Sequence, residues 1–171
     1  MHNNADKCFY FAYGSNMSFQ RIGARISPIQ RVGVAQLLGF ALKFHKVGRD
    51  GSAKGNAWCT GEEADSLWGV LYQLEHSQLE ELDKIEGKGQ GYDRRTVAVY
   101  QGPERVETQI YVATHIDDSL RPFDWYLHHV LSGARQNNLP VEHQNLIVQT
   151  TSIEDPDRDR YHREVSIYDN L

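Results

Sequence analysis

The sequence predicts an α+β domain in which strands outnumber helices and form a mostly non-parallel sheet that curls toward a small barrel flanked by helices. Three observations carry this reading. Runs rich in aromatic and β-branched residues recur along the chain, one of them with strict period-two alternation. Short turn chemistry such as Gln101-Gly102-Pro103-Glu104-Arg105 joins neighbouring runs as hairpins. No internal repeat or low-complexity tract divides the 171 residues, so the chain reads as one domain over 1–171, with residues 150–171 as a surface segment or an arm packed on it. Closing the sheet would remove the exposed strand edges that many short strands otherwise leave.

Taken in order, Phe9-Tyr10-Phe11-Ala12-Tyr13 reads as a buried strand that stops at Gly14-Ser15-Asn16. Met17 to Ile26, with Ile22 and Ile26 at i, i+4, predicts a short helix that Pro28 does not continue. In the stretch from Arg31 to Lys46, Phe40, Leu42 and Phe44 alternate with Ala41, Lys43 and His45, which predicts a strand with one buried face. Val47 to Lys54 is a loop by composition, and Asn56 to Thr60 and Ser66 to Leu74 are further strands. His76 to Gly87 changes period: Leu79, Leu82 and Ile85 recur every third residue, an amphipathic helix with Gly87 near its C-cap. Tyr92 to Tyr100 and Val106 to Ala113 return to strand chemistry. Pro122 to Asn138 is helical, with Trp125, His128, His129, Leu131 and Ala134 on one broad face, and Val141 to Gln149 reads as another short helix.

Composition excludes several function classes. A net charge of −5 without a basic run lacks the electrostatic footprint of a nucleic-acid binder. No apolar stretch approaches the roughly 18 residues needed to span a bilayer. Two cysteines, Cys8 and Cys59, are too few for a disulfide scaffold, and the Met1-His2-Asn3-Asn4-Ala5-Asp6-Lys7 start lacks a signal-peptide core, so a reducing cytoplasm is expected. Each cysteine reads as a small core residue rather than a nucleophile. The eight histidines show no metal-binding spacing, and the adjacent His128 and His129 face different directions on a helix, so no metal is expected. Oligomeric state is not legible; a homodimer is compatible with the sequence.

Two stretches carry candidate chemistry. At Gly14-Ser15-Asn16 the backbone can form an anion-binding nest, with Gly14 free to take positive φ and the following helix adding its positive end. Ser15 lacks a Gly-x-Ser-x-Gly frame and an indicated base, so its main chain is the functional part. Glu86 stands at a predicted helix C-terminus, where unpaired carbonyls and partial enclosure beside Ile85 push a carboxyl pKa upward, toward general acid–base duty. The ordinary fate of such a glutamate is a solvated helix end.

Tyr13-Gly14-Ser15-Asn16 after an N-terminal strand, then Leu82-Asp83-Lys84-Ile85-Glu86-Gly87 and Gly91-Tyr92, resembles the γ-glutamylcyclotransferase family and its AIG2-like relatives. The likeness runs from about residue 9 to 140 and includes Asn138-Leu139-Pro140 after a helix. It implies a small mixed barrel, a substrate-binding loop at Tyr13, Gly14, Ser15, Asn16 and Met17, pocket tyrosines at Tyr92 and Tyr111, and Glu86 as the catalytic acid/base. The implied reaction is cofactor-independent ring closure: the α-amine of a γ-glutamyl group attacks its own γ-amide carbonyl, releasing 5-oxoproline and an amine, as in glutathione metabolism. The interval Gly87-Lys88-Gly89-Gln90-Gly91 and the tail from Thr150 to Leu171 depart from the pattern. Two alternatives stand beside this one: a γ-glutamyl-deblocking enzyme of a biosynthetic pathway, and a non-catalytic module that holds a carboxylated ligand. The second carboxylate at Glu86 argues against a pure anion receptor.

Overall fold

Strand β1 (Lys7–Ala12) is where the barrel closes. It pairs antiparallel with β5 (Ser66–Glu75), from Lys7 opposite Glu75 to Ala12 opposite Val70, and parallel with β7 (Glu104–Ala113) at Tyr10 opposite Gln109. β5 in turn pairs with β2 (Gln30–Leu38), β2 meets β6 (Tyr92–Gln101) at Gln36 opposite Tyr100, and β6 and β7 form a hairpin in full register. The order β1-β5-β2-β6-β7 is a closed mixed barrel, with the single parallel contact at β1/β7. The computed structural model describes residues 7–169, so the sequence reading of Met1 to Asp6 lies outside the described residues. Among the described residues no helix is long and apolar enough to cross a membrane.

The stretch read as one strand region from Arg31 to Lys46 is two strands, broken at Gly39, whose φ of +77° reverses the chain before β3 (Phe40–Val47). β3 pairs with β4 (Ala53–Cys59) in a two-stranded sheet outside the barrel, with one isolated bridge from Lys46 to Ile116. Its predicted alternation holds from Leu42, buried, to Lys43, exposed, and then fails: a register shift between Phe44 and Lys46 leaves both His45 and Lys46 buried. An extra residue in one strand of a pair redirects the side chains that follow it. Cys59, expected in the core, lies exposed at the end of β4, whereas Cys8 is half-buried against the core.

Helix α1 (Phe19–Arg25) follows a 3₁₀ turn at Ser15–Met17 and is capped by the Ser18 hydroxyl, which accepts from the Arg21 amide. Helix α2 (His76–Glu86) begins with a reciprocal cap between Glu75 and Gln78 and ends at Gly87 with φ +68°. Leu79 and Leu82 are buried but Ile85 is 37% exposed. At about 100° per residue a strict three-residue spacing rotates by about −60° per step, so the third member leaves the buried stripe, while Glu86, four after Leu82, stays on it.

Helix α3 (Asp124–Gln136) lies against the Ser15–Met17 turn. A Cβ at Gly133 would stand 2.4 Å from the Ser18 nitrogen and 2.5 Å from Met17 Cβ, so only glycine permits this approach. His128, expected on the buried face of α3, is exposed, while His129 is fully buried. After α4 (Val141–Val148), residues 152–168 pass through α5 (Arg158–Val165) against α3 and end in a 3₁₀ turn at Ser166–Tyr168 against α1. Buried Asp155 anchors this segment by accepting from Trp125 Nε1 at 2.7 Å and from Arg160 at 2.6 Å, and those bonds hold its carboxyl down to about 2.

Candidate active site

The C-terminal end of α2 meets the turn after β1 across a narrow well of about 30 Å³. Its wall contains Tyr10, Tyr13, Gly14, Ser15, Asn16, Gly55, Glu86, Tyr92, Tyr111 and Tyr126, drawn from β1, the turn, β4, α2, β6, β7 and α3. The well opens into a cleft of about 260 Å³ that shares Ser15, Glu86, Tyr92 and Tyr126 with it.

Glu86 is held by its Oε1 atom, which accepts from Asn16 Nδ2 at 3.0 Å and from Arg25 Nη1 at 2.9 Å. Its Oε2 atom has no partner among the described residues, and Glu86 borders both the well and the cleft. Arg25 also donates to Asn16 Oδ1 at 3.1 Å, so guanidinium, amide and carboxylate form a closed triangle that fixes the acid's orientation. The counter-charge is the feature that sequence reading missed: enclosure and the helix end are joined by a guanidinium from α1, 61 residues away.

In the turn, the Met17 amide is engaged by the Gly14 carbonyl at 3.1 Å and the Ser18 amide by the Ser15 carbonyl at 3.2 Å. The amides of Gly14, Ser15 and Asn16 have no such acceptor among the described residues. Two expectations are corrected here. Gly14 has φ −112°, not a positive value; its lack of a side chain serves the cavity, where a Cβ would stand 3.3 Å from the Tyr126 hydroxyl. Met17 does not face the well: its amide is engaged and its side chain is fully buried below the turn, against α3.

Burial raises the phenols of Tyr10, Tyr13, Tyr92, Tyr111 and Tyr126 above the ordinary tyrosine value, so all five remain protonated donors at neutral pH. Three of those protons are already placed. Tyr13 donates to the Tyr111 carbonyl at 2.6 Å, Tyr92 to the Gly55 carbonyl at 2.6 Å, and Tyr111 to Asp83 Oδ1 at 2.8 Å, so these residues contribute ring walls. Tyr10 and Tyr126 instead accept, from Asn16 Nδ2 at 3.0 Å and from the Gly55 amide at 2.9 Å, which leaves their own protons for a ligand.

The structure thus brings together Glu86, Tyr13, Gly14, Ser15, Asn16, Tyr92 and Tyr111, as the sequence motifs proposed, and adds Tyr10, Arg25, Gly55 and Tyr126. Tyr10 was hidden inside an aromatic strand that reads as core. Tyr126 carried a faint signal, an aromatic on a helix otherwise matched to its apolar face. Nothing local marked Arg25 or Gly55.

Comparison with known proteins agrees with this architecture. The AIG2-like family profile matches residues 66–146. A γ-glutamyl cyclotransferase of solved structure superposes with a TM-score of 0.81 at 24% identity, covering 92% of this chain and 99% of that one. The human γ-glutamylcyclotransferase is 32% identical over 144 residues, 79% of this chain and 74% of the relative. The enzyme of the same name from Bos taurus is 31% identical over 150 residues, 82% of this chain and 77% of the relative. With a barrel of this fold and that identity over most of both chains, the chain belongs to the γ-glutamylcyclotransferase family and is an enzyme of that type.

Proposed function

We propose that this enzyme releases 5-oxoproline from a γ-glutamyl amino acid or γ-glutamyl amine by internal attack of the α-amine, with Glu86 as the acid/base. The observation that carries the proposal is the placement of the Glu86 carboxylate 3.0 Å from Asn16, across one well from the free amides of the turn after β1.

An α-ammonium group, with an ordinary pKa near 8, cannot attack a carbonyl until it loses a proton. Glu86 Oε2 is the free acceptor of the pair, and Arg25 and Asn16 hold the other oxygen still. Narrowness of the well bends the γ-glutamyl chain so that nitrogen and γ-carbonyl approach, a proximity gain available to any enforced intramolecular reaction. The attack forms the C–N bond of a five-membered ring and places negative charge on the former carbonyl oxygen. The Gly14, Ser15 and Asn16 amides, with the Tyr10 and Tyr126 hydroxyls, supply donors for that oxygen and for the α-carboxylate. As the γ-amide C–N bond breaks, Glu86 returns its proton to the departing nitrogen, and the ring nitrogen's remaining extra proton passes on to the released amine, which leaves as an ammonium. The proposal includes a cytoplasmic setting, in which Cys8 and Cys59 stay reduced.

Glu86→Gln keeps the size of the side chain and one oxygen for Arg25, so the fold should persist while proton transfer is lost. Formation of 5-oxoproline should fall by 10² to 10⁴, roughly the contribution of a positioned acid/base. A folded Glu86→Gln protein with full turnover would eliminate this mechanism.

A further inference from the structure

Six cations line the outer cleft: Arg21, Arg25, Lys46, Arg49, Lys54 and Arg160. Four are neutralised in place, by Glu164, Glu86, Asp50 and Asp155 respectively. Lys46 and Arg49 have no carboxylate partner among the described residues, in a chain whose net charge is −5.

Lys46 is the more telling of the two. The register shift in β3 turns it inward, where the residue is only 7% exposed and its ammonium lies 4.6 Å from the centre of the Tyr92 ring. A Cβ on Gly91 would stand 3.0 Å from Lys46 Nζ and 3.6 Å from the Glu86 carbonyl oxygen, so the ammonium lies beside the end of the catalytic helix. A cation so far withdrawn from water is costly, and an aromatic face offsets only part of that cost. Burial lowers the Lys46 ammonium from the ordinary lysine value, and the nearby Glu86 carboxylate offsets only part of that effect. Arg49 stands at the mouth of the same cleft, its Nη2 atom 3.1 Å from where a Cβ on Gly87 would be.

We propose that Lys46, with Arg49 at the mouth, forms an anion subsite for the leaving half of the substrate and selects γ-glutamyl compounds whose released amine carries a carboxylate. The inference rests on the cyclotransferase reading above. Its geometry follows from the walls that the well and the cleft share. Glu86 and Tyr92 border both the well and the cleft, so a leaving nitrogen that takes its proton from Glu86 faces outward, and the carboxylate one carbon away from that nitrogen falls toward Lys46.

The test compares γ-glutamyl-alanine, γ-glutamyl-alaninamide and γ-glutamyl-ethylamine as substrates of the full chain, reading 5-oxoproline formation. A charge-assisted bond gives the first compound a kcat/KM about 10- to 100-fold above the other two. Lys46→Met should collapse that ratio to within about threefold, and Lys46→Arg, which keeps the charge, should retain most of it. Melting curves of both variants confirm that each is folded. A wild-type ratio near one, a ratio unchanged in Lys46→Met, or an equal loss on all three compounds would overturn the subsite, the last by assigning Lys46 to the glutamyl half. Absence of 5-oxoproline from every compound would overturn the cyclotransferase reading and the subsite with it, and is distinguished from failure of the subsite alone because no substrate is turned over.

Discussion

Gly133→Ala tests how tightly the turn after β1 is clamped. The added methyl would stand 2.4 Å from the Ser18 nitrogen, 2.5 Å from the Met17 carbonyl carbon and 2.5 Å from Met17 Cβ. Ordinary contact needs roughly 3.5 Å, so α3 and the turn must separate by about 1 Å, and two of the three obstructing atoms are backbone that cannot swing aside. Overpacking of this kind costs about 1–3 kcal/mol, which for a chain of this size lowers Tm by roughly 2–12 °C. The displacement reaches chemistry because the same turn carries the free amides and Asn16, whose Nδ2 lies 3.0 Å from Glu86. A misplacement near 1 Å at reacting groups costs up to about 10²-fold in rate. Gly23→Ala is the matched control: it sits in α1 with nothing within 4 Å of an added Cβ, and should be neutral or slightly stabilising. Thermal melts and kcat/KM for 5-oxoproline release, run side by side, decide the matter. A Gly133→Ala protein matching wild type in both would refute the argument that this glycine sets the position of the turn.

Two further outcomes are expected. Arg25→Met removes the counter-charge and one arm of the triangle that orients Glu86; a hydrogen bond to a charged group contributes about 1.5–3 kcal/mol, so kcat/KM should fall about 10- to 100-fold, mostly in kcat, with Arg25→Lys recovering part. A purely structural role for Arg25 would instead lower Tm and leave kcat of the folded fraction unchanged. Acid stability follows from His129 and His143, both held down to about 4 chiefly by burial. The unfolded chain binds those protons first, near pH 6.5, so stability is full above that pH and declines as pH falls toward 4, by at most roughly 3 kcal/mol per histidine. Urea midpoints at pH 7, 5.5 and 4 should show this slope, shallower in His129→Gln; an identical slope in that variant would count against the assignment.

The legible part of the fold was periodic. Leu79 and Leu82 announced α2, and the chemistry of Tyr92 to Ala113 announced the β6/β7 hairpin. The boundary between β2 and β3 was not legible, because a single positive-φ glycine at Gly39 interrupts an otherwise continuous run of strand chemistry. Nor was the inward turn of Lys46, since a bulge inserts a residue without altering composition. In the site, Glu86 and Gly14-Ser15-Asn16 were found through their motifs, whereas Arg25, Tyr10 and Tyr126 carry no local signature.

By itself the sequence determined the elements and the two motifs they carry: the spacing of Leu79 and Leu82 gives a helix with Glu86 at its end, and the strand ending in Gly-Ser-Asn gives a turn with main-chain donors. Only tertiary structure decided what those residues meet. Closure of β7 onto β1, the crossing of α3 at Gly133, the placement of α1 and the return of the β3/β4 hairpin bring two free phenols to the well and a guanidinium and an ammonium to the cleft beside it. Periodicity reports burial within a segment, while the partner across a cavity is set by how distant segments pack, and that information resides in no single stretch of chain.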